Sequence, residues 1–387
     1  MSRPLRDVPA RHDALLPALA AALDGTGPAV CPVDDGPSAR GSSVADDVAV
    51  VVRTSGSTGE PRAVLLSAAA LRASASATCE RLAGPGRWLL ALPTHHVAGL
   101  QVLVRSVLAG TSPVVLDPGP FRAPGFVAAT AELASDAPRY TSLVPTQLVR
   151  LLDDPAATAA LATFDAVLLG GAATPPDLLA RARAAGVAVV TTYGMSETCG
   201  GCVYDGVPLP GVRASLDDEG RILLAGPVLA DGYLGRPDLD ADAFVQVDGV
   251  RHLRTTDLGR LDGDRLTVLG RIDDVLVTGG SKVAPGPVES VLGGLPGIAE
   301  VCVVGVPDPE WGQAVVAVVV PRPGVPPTTI DEARGAVTDR LGAAHAPRHL
   351  VVTDSLPVRG PGKIDRRAAA QLAATSLDAR SPERTPT

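Results

Sequence analysis

The 387-residue chain is 46% hydrophobic and 20% charged, with 3% aromatic residues and a formal net charge of −8. Its length allows two or three domains with cores of Val, Leu and Ala, while the acidic balance argues against a nucleic-acid binder, which shows a basic stripe. No run of about 18 apolar residues occurs, so no membrane insertion is expected, and five scattered cysteines, an odd number, suit a reducing cytoplasm.

Residues 1–45 read as a short amphipathic helix near Ala14–Leu23, interrupted by Pro17, and the start of a Gly/Ser/Asp-rich connector, Asp34–Asp47. They do not read as a signal peptide. From Val48, apolar runs at 48–52, 63–66, 88–92, 113–116, 140–144, 165–169 and 187–191 alternate with helix-like stretches at 67–83, 98–109, 122–134 and 175–185. Such alternation predicts an α/β fold with parallel sheets covered on both faces, whose ligands sit at the carboxyl ends of strands. From about 205 to 272 the texture is short strands and Gly/Asp turns such as Asp248-Gly249, a small β-rich subdomain. Beyond it lies an α+β unit of roughly 110 residues, a usual domain size. It holds a turn at Gly279–Pro285, helices at 288–295 and 331–341, β runs at 301–306 and 314–320, and a Gly/Pro loop presenting Lys363. The tail from about Thr375 is expected to be disordered.

The chemistry concentrates where strands end. Thr54, Ser55, Gly56, Ser57, Thr58, Gly59 and Arg62 offer four hydroxyls, two glycines that let backbone N–H groups turn inward, and a cation. That is the composition of a phosphate cradle, although a Ser/Thr/Gly loop taken alone is more often an ordinary surface turn. It is not a Walker A loop, because Gly59 is followed by Glu60-Pro61. Later strand ends carry His95 and His96, then Pro145 and Thr146 at a helix start. Gly170, Gly171 and Ala172 leave room for a flat ligand, and Tyr193, Gly194, Ser196 and Glu197 combine a ring, a hydroxyl and a carboxylate. Cys199 and Cys202 have C-x-x-C spacing, but no second ligand pair accompanies them, so metal or redox chemistry there is the weaker reading.

The loop 54–62, the turn 93–100, Tyr193–Glu197, Thr256–Gly259, Gly270–Asp274 and Gly362-Lys363 occur in the order found in the acyl-adenylate-forming superfamily, which the chain resembles over about residues 45–370. The wording at Ser142–Leu148, Tyr193–Cys199 and Gly279–Pro285 is most similar to its o-succinylbenzoate–CoA ligase branch in menaquinone biosynthesis. The resemblance implies a large AMP-binding domain over 1–272, a hinge at Asp273 and a small mobile lid over 273–387. It implies ATP, Mg²⁺ and coenzyme A as cofactors and co-substrates, and a small carboxylic acid as the acyl donor. Thr54–Thr58 and Arg62 would hold phosphates, and Glu197 with Thr58 the Mg²⁺, an oxygen-liking ion. Tyr193 and Gly170–Ala172 would flank adenine, with Gly194 beside them, and Ser196 would touch the α-phosphate. Asp257 and Arg271 would serve the ribose, and Gly279, Gly280 and Lys282 the CoA step. Lys363 would act in adenylation, and His96 would border an acyl pocket drawn from His95, Ser142, Thr146 and Thr198.

Three departures stand out. Only 53 residues precede Thr54, so the N-terminal subdomain is expected to be abbreviated; Arg62 replaces the usual Lys; Ser196 replaces the usual Thr. Arg keeps the charge but presents a planar fork. Another aryl or fatty acyl-CoA ligase, a carrier-protein-loading enzyme and a catalytically inactive nucleotide-binding relative are the alternatives. The oligomeric state is left open, a homodimer included.

Overall fold

The computed structural model describes residues 2–34, 42–55, 61–359 and 363–379. Among them the chain divides into two compact units, 1–171 with 182–255 and 261–266, and 172–181 with 256–260 and 267–387.

In the first unit, the strand Val48–Ser55 lies parallel to Ala29–Val33 and antiparallel to Pro61–Ser67. Flanked on both edges and covered on both faces, its residues 48–52 are at most 1% exposed, which is why the sequence reads there as an unbroken apolar run. Gly232–Tyr233 extends this sheet beyond Pro61–Ser67. A second sheet carries Val114–Val115, Arg87–Leu90, Arg139–Leu143, Ala166–Leu169 and Val189–Met195 in parallel, followed by antiparallel Gly200–Tyr204 and Val207–Pro208. The helices Ala68–Arg81 and Val97–Leu108 share one core with both sheets, through Leu71, Leu100 and Leu103 against Val50, Trp88 and Tyr204. The fold is α/β as expected, with antiparallel strands added at the sheet edges.

A third sheet has the order Arg213–Leu216, Arg221–Ala225, Val250–Asp262 and Phe244–Val247, its first and last pairs antiparallel, with Arg265–Arg271 also pairing the long strand. Asp248 and Gly249, at φ of 51° and 74°, form the two-residue turn read from the sequence.

The second unit is built on the long hairpin Ile298–Asp308 and Gly312–Pro321, with His349–Val352 parallel to the latter. Its side chains alternate cleanly, as a sheet covered on both faces requires. Val303, Val315, Ala317 and Val319 pack on Val288, Leu292, Ala333 and Val337 of the helices Pro285–Gly293 and Ile330–Leu341. Cys302, Val304, Val316 and Val318 pack on Ala369 and Ala373 of the helix Arg366–Asp378.

Two expectations need correction. The N-terminus opens with a strand, Ser2–Pro9, parallel to a second unpredicted strand, Ala29–Val33, and the expected helix lies between them at His12–Leu23. A charged residue pointing inward conceals the first strand: Arg3 is 8% exposed, with its guanidinium donating to the carbonyls of Ala22, Gly27 and Asp46. At the other end, the helix runs on to Asp378 and includes Thr375, because its Ala369/Ala373 face is buried.

Candidate functional site

The two strands on either side of residues 56–60, the stretch expected to cradle phosphate, are held in register by Thr54 opposite Arg62 and Ser55 opposite Pro61. The Thr54 hydroxyl faces the Arg62 carbonyl at 3.5 Å. Gly56, Ser57, Thr58 and Gly59 lie outside the described residues. Immediately past the loop, Gly232–Tyr233 pairs with the outgoing strand, Tyr233 opposite Val64, with Leu234 N–H on the Ala63 carbonyl at 2.8 Å.

This pairing delivers a residue that the sequence reading did not single out. The Tyr233 hydroxyl donates to Glu197 Oε1 at 2.8 Å, and the Arg62 guanidinium carbon lies 5.8 Å from the centre of the Tyr233 ring. The ring is 4% exposed. Burial, and then the neighbouring Glu197 carboxylate, hold the phenol well above its usual range, outweighing the Arg62 charge, so it remains a donor at neutral pH. Gly232 carries no side chain for a steric reason: a Cβ there would meet Asp240 Oδ1 at 2.6 Å, the carboxylate that accepts the Tyr233 N–H at 2.7 Å.

Glu197 stands in a 3₁₀ turn, Ser196–Thr198, at the end of the strand Val189–Met195. Thr198 is fully buried, and its hydroxyl accepts from Met195 N–H at 2.9 Å and lies 2.7 Å from the Gly200 carbonyl. Its polar capacity is thus engaged within the turn. The turn is fastened at its exit, where the Cys199 carbonyl accepts from Gln101 Nε2 at 2.7 Å and Ser74 Oγ at 3.2 Å. Ser196 is buried, whereas Tyr193 and Glu197 are half-buried. A bulge separates Tyr193 from Gly194, whose added Cβ would lie 2.1 Å from the Gly200 carbonyl.

Gly170 is small because its neighbour needs the space: a Cβ would fall 2.4 Å from Thr192 Oγ1. Gly171 is in the left-handed region at φ +82°. His96 precedes the helix Val97–Leu108, its ring 4.2 Å from that of His95 between centroids. His95 Nδ1 lies 3.3 Å from Asp34 Oδ2. Ser142 is buried on its strand, and Thr146 is exposed in the first turn of Pro145–Leu152.

Cys199 and Cys202 are fully buried thiols, with Cys202 pushed up to about 12 by desolvation. Among the described residues no three His, Cys, Asp or Glu side chains converge as a metal cluster. A hard cation of the Mg²⁺ kind takes one or two carboxylates and completes its shell with phosphate oxygens and water, so a single carboxylate such as that of Glu197 is of the donor type such an ion would use.

In the second unit, Arg271 donates to Thr256 Oγ1 at 2.7 Å and lies 3.4 Å from Asp273 Oδ2; Thr256 is followed directly by half-buried Asp257. Exposed Ala172 belongs to this unit. Gly279 and Gly280, at φ of 53° and 78°, turn the hairpin Leu276–Thr278/Ser281–Val283, where exposed Lys282 is opposite Val277. Trp311 supports this turn; it is one of two tryptophans in a chain poor in aromatics, a rarity that marks it in the sequence. The backbone of Lys363 pairs with that of Arg359 in a short two-stranded ribbon.

Comparison with known proteins gives a consistent set. Residues 10–234 match the family described as AMP-binding enzyme, and residues 287–363 the AMP-binding enzyme C-terminal domain. The chain is 50% identical over 374 residues to the probable 2-succinylbenzoate–CoA ligase of Mycobacterium tuberculosis, covering 94% of this chain and 96% of that protein. It is 35% identical over 361 residues to a medium/long-chain-fatty-acid–CoA ligase of the same organism, covering 84% and 61%. Among solved structures, the o-succinylbenzoate coenzyme A synthetase of Bacillus subtilis in complex with AMP aligns with a TM-score of 0.70 at 27% identity, over 87% of this chain and 74% of that one.

Proposed function

The chain belongs to the AMP-binding enzyme family, and from that premise we propose that it joins 2-succinylbenzoate to coenzyme A through an acyl-adenylate, with ATP cleaved to AMP and pyrophosphate. The observation that carries this reading is the 50% identity that runs through nearly the whole length of this chain and of its mycobacterial relative.

The reaction has two steps. A carboxylate oxygen attacks the α-phosphorus of ATP; the new P–O bond forms as the bond to the β-phosphate oxygen breaks, and pyrophosphate leaves. The thiolate of coenzyme A then attacks the acyl carbon, forming a thioester and expelling AMP. Neither step needs covalent participation by the protein, so its work is positioning and neutralisation of phosphate charge.

In this reading Thr54, Ser55, Ser57, Thr58 and Arg62 hold the β- and γ-phosphates, and Ser196 the α-phosphate. Tyr193 and the Gly170–Ala172 backbone flank adenine, and Asp257 and Arg271 take the ribose hydroxyls. Glu197, with Thr58, holds Mg²⁺, which neutralises phosphate charge when bound. His96 borders the acyl group. Lys363 serves adenylation and Gly279–Lys282 the thioester step. The product belongs to menaquinone biosynthesis. Among the described residues no helix is long and apolar enough to cross a membrane, and five free cysteines fit a reducing cytoplasm as the site of the reaction.

The 35% identity to a fatty-acid ligase favours a second substrate class within the same chemistry. Pyrophosphate release with ATP and Mg²⁺, compared across 2-succinylbenzoate, benzoate and medium- and long-chain fatty acids, separates the two. The proposal expects 2-succinylbenzoate to have the highest kcat/KM; a preference for fatty acids overturns the substrate.

A further inference from the structure

Glu197 is attached at two points to one short segment. Its side-chain Oε1 accepts the Tyr233 hydroxyl at 2.8 Å, and its backbone carbonyl accepts the Ala230 N–H at 2.8 Å. The same segment is zipped to the strand leaving the phosphate loop, with Asp231 N–H on the Leu65 carbonyl at 2.9 Å and Leu234 N–H on the Ala63 carbonyl at 2.8 Å. A glutamate has three side-chain torsions to fix; the buried Tyr233 phenol restricts the last of them, while the backbone bond holds the origin. The Arg62 guanidinium lies over the face of the same ring, where a cation is attracted by the ring quadrupole. Tyr233 thus stands between the cation that closes the phosphate loop and the carboxylate assigned to the metal.

We infer that Tyr233 is a positioning residue that aims the Glu197 carboxylate, so that Oε1 is engaged by the phenol and Oε2 is presented to the divalent cation of the nucleotide. Hydrogen-bond partners of ligating carboxylates typically set metal affinity by about 10- to 100-fold. This chain's arginine at 62 places its guanidinium carbon 5.8 Å from the ring centre, a contact that a lysine ammonium makes differently. The inference rests on the proposed ligase reading, in which Glu197 holds Mg²⁺.

The test is Mn²⁺ binding, followed by electron paramagnetic resonance, to the full chain with α,β-methylene-ATP. Tyr233→Phe keeps the ring and its burial and removes only the hydroxyl. Phe244→Leu is the packing control, because the Phe244 ring packs tilted against the same ring, 6.0 Å between centroids, and its replacement leaves the hydroxyl in place. The inference expects Tyr233→Phe to weaken Mn²⁺ binding by about tenfold or more, Phe244→Leu to leave it within about twofold, and the Mg²⁺ requirement of Tyr233→Phe to rise while kcat at saturating Mg²⁺ is largely retained. Unchanged Mn²⁺ affinity in Tyr233→Phe overturns it, as does equal weakening in both variants. If the wild type itself adds no Mn²⁺ affinity beyond free nucleotide, the metal role of Glu197 fails and the inference with it. Wild-type pyrophosphate release tells that outcome apart from failure of the ligase reading.

Discussion

Gly279 lies flat against the ring of Trp311: a Cβ on it would sit 2.5 Å from Cε3 and 2.7 Å from Cζ3, and its N–H donates to the Trp311 carbonyl at 3.0 Å. The Arg348 guanidinium covers Trp311 as well, 3.7 Å from the ring centroid. Gly280, the next residue, has a positive φ but open space around it. Gly280→Ala is therefore expected to cost only the left-handed backbone penalty, about 1 kcal/mol. Gly279→Ala adds a clash with a large ring and is expected to cost at least about 2–3 kcal/mol. Urea unfolding of both variants checks the difference; equal stabilities contradict the packing described here.

Arg366 gathers three parts of the second unit. Its Nη2 donates to Glu289 Oε2 at 2.8 Å, Nη1 to the Val303 carbonyl at 3.0 Å, and Nε lies 3.3 Å from Asp274 Oδ2. Glu289 also accepts the Val303 N–H at 2.8 Å. Arg366→Met keeps the apolar stem and leaves two acidic groups uncompensated. With the pair partly shielded from water, a loss of about 3 kcal/mol is expected in urea unfolding, part of it returned by adding Glu289→Met. A change below about 0.5 kcal/mol would place this cluster among ordinary surface pairs.

Most of the framework was readable because its signals are local. Between Val48 and Met195 the apolar runs and helical stretches lie within a few residues of the observed elements, as expected where strands are buried on both faces and flanked by turn residues. The hairpin turn at Asp248-Gly249 was legible for the same reason, whereas the stretch Gly279–Pro285, read as one turn, holds a turn at Gly279-Gly280, the strand Ser281–Val283 and a helix start at Pro285. The strand Ser2–Pro9 was not, since Arg3 points inward and is satisfied by three carbonyls that only the folded chain supplies. The site shows the same divide. Glu197 and Arg62 were singled out from their own motifs, but Tyr233 is 36 residues from Glu197 and meets it only through the pairing of Gly232–Tyr233 with Pro61–Ser67. Gly170 was read as making room for a ligand, and Thr192 on the adjacent strand supplies a second reason for its size.

The thiols offer an independent check on the packing around the Glu197 turn. Cys31, Cys199, Cys202 and Cys302 are buried, and Cys79 is the half-buried exception. Desolvation pushes all five thiols up, which disfavours the reactive thiolate. Native alkylation mapped by mass spectrometry is expected to label Cys79 first and to spare Cys199 and Cys202 until the chain is unfolded. Rapid modification of that pair, or stoichiometric zinc in the purified protein, would reopen a metal or redox role for it.

The proposed role of Lys363 in adenylation predicts that its loss separates the two half-reactions. A cation about 4 Å from developing phosphate charge contributes roughly 4 kcal/mol at an effective dielectric of about 20, on the order of a thousandfold in rate. Lys363→Ala is expected to slow pyrophosphate release by at least about a hundredfold, while thioester formation from supplied acyl-adenylate changes far less. Equal losses in both half-reactions would contradict the assignment of Lys363 to adenylation.

The central claim is that the acid is activated by direct transfer of adenylate to its carboxylate. It is tested most directly by supplying 2-succinylbenzoate labelled with ¹⁸O in its carboxylates, together with ATP, Mg²⁺ and coenzyme A, and analysing the products by mass spectrometry. One ¹⁸O atom is expected in AMP for each thioester formed, and none in pyrophosphate. Label in inorganic phosphate, with ADP as the nucleotide product, or unlabelled AMP alongside the thioester, would contradict it.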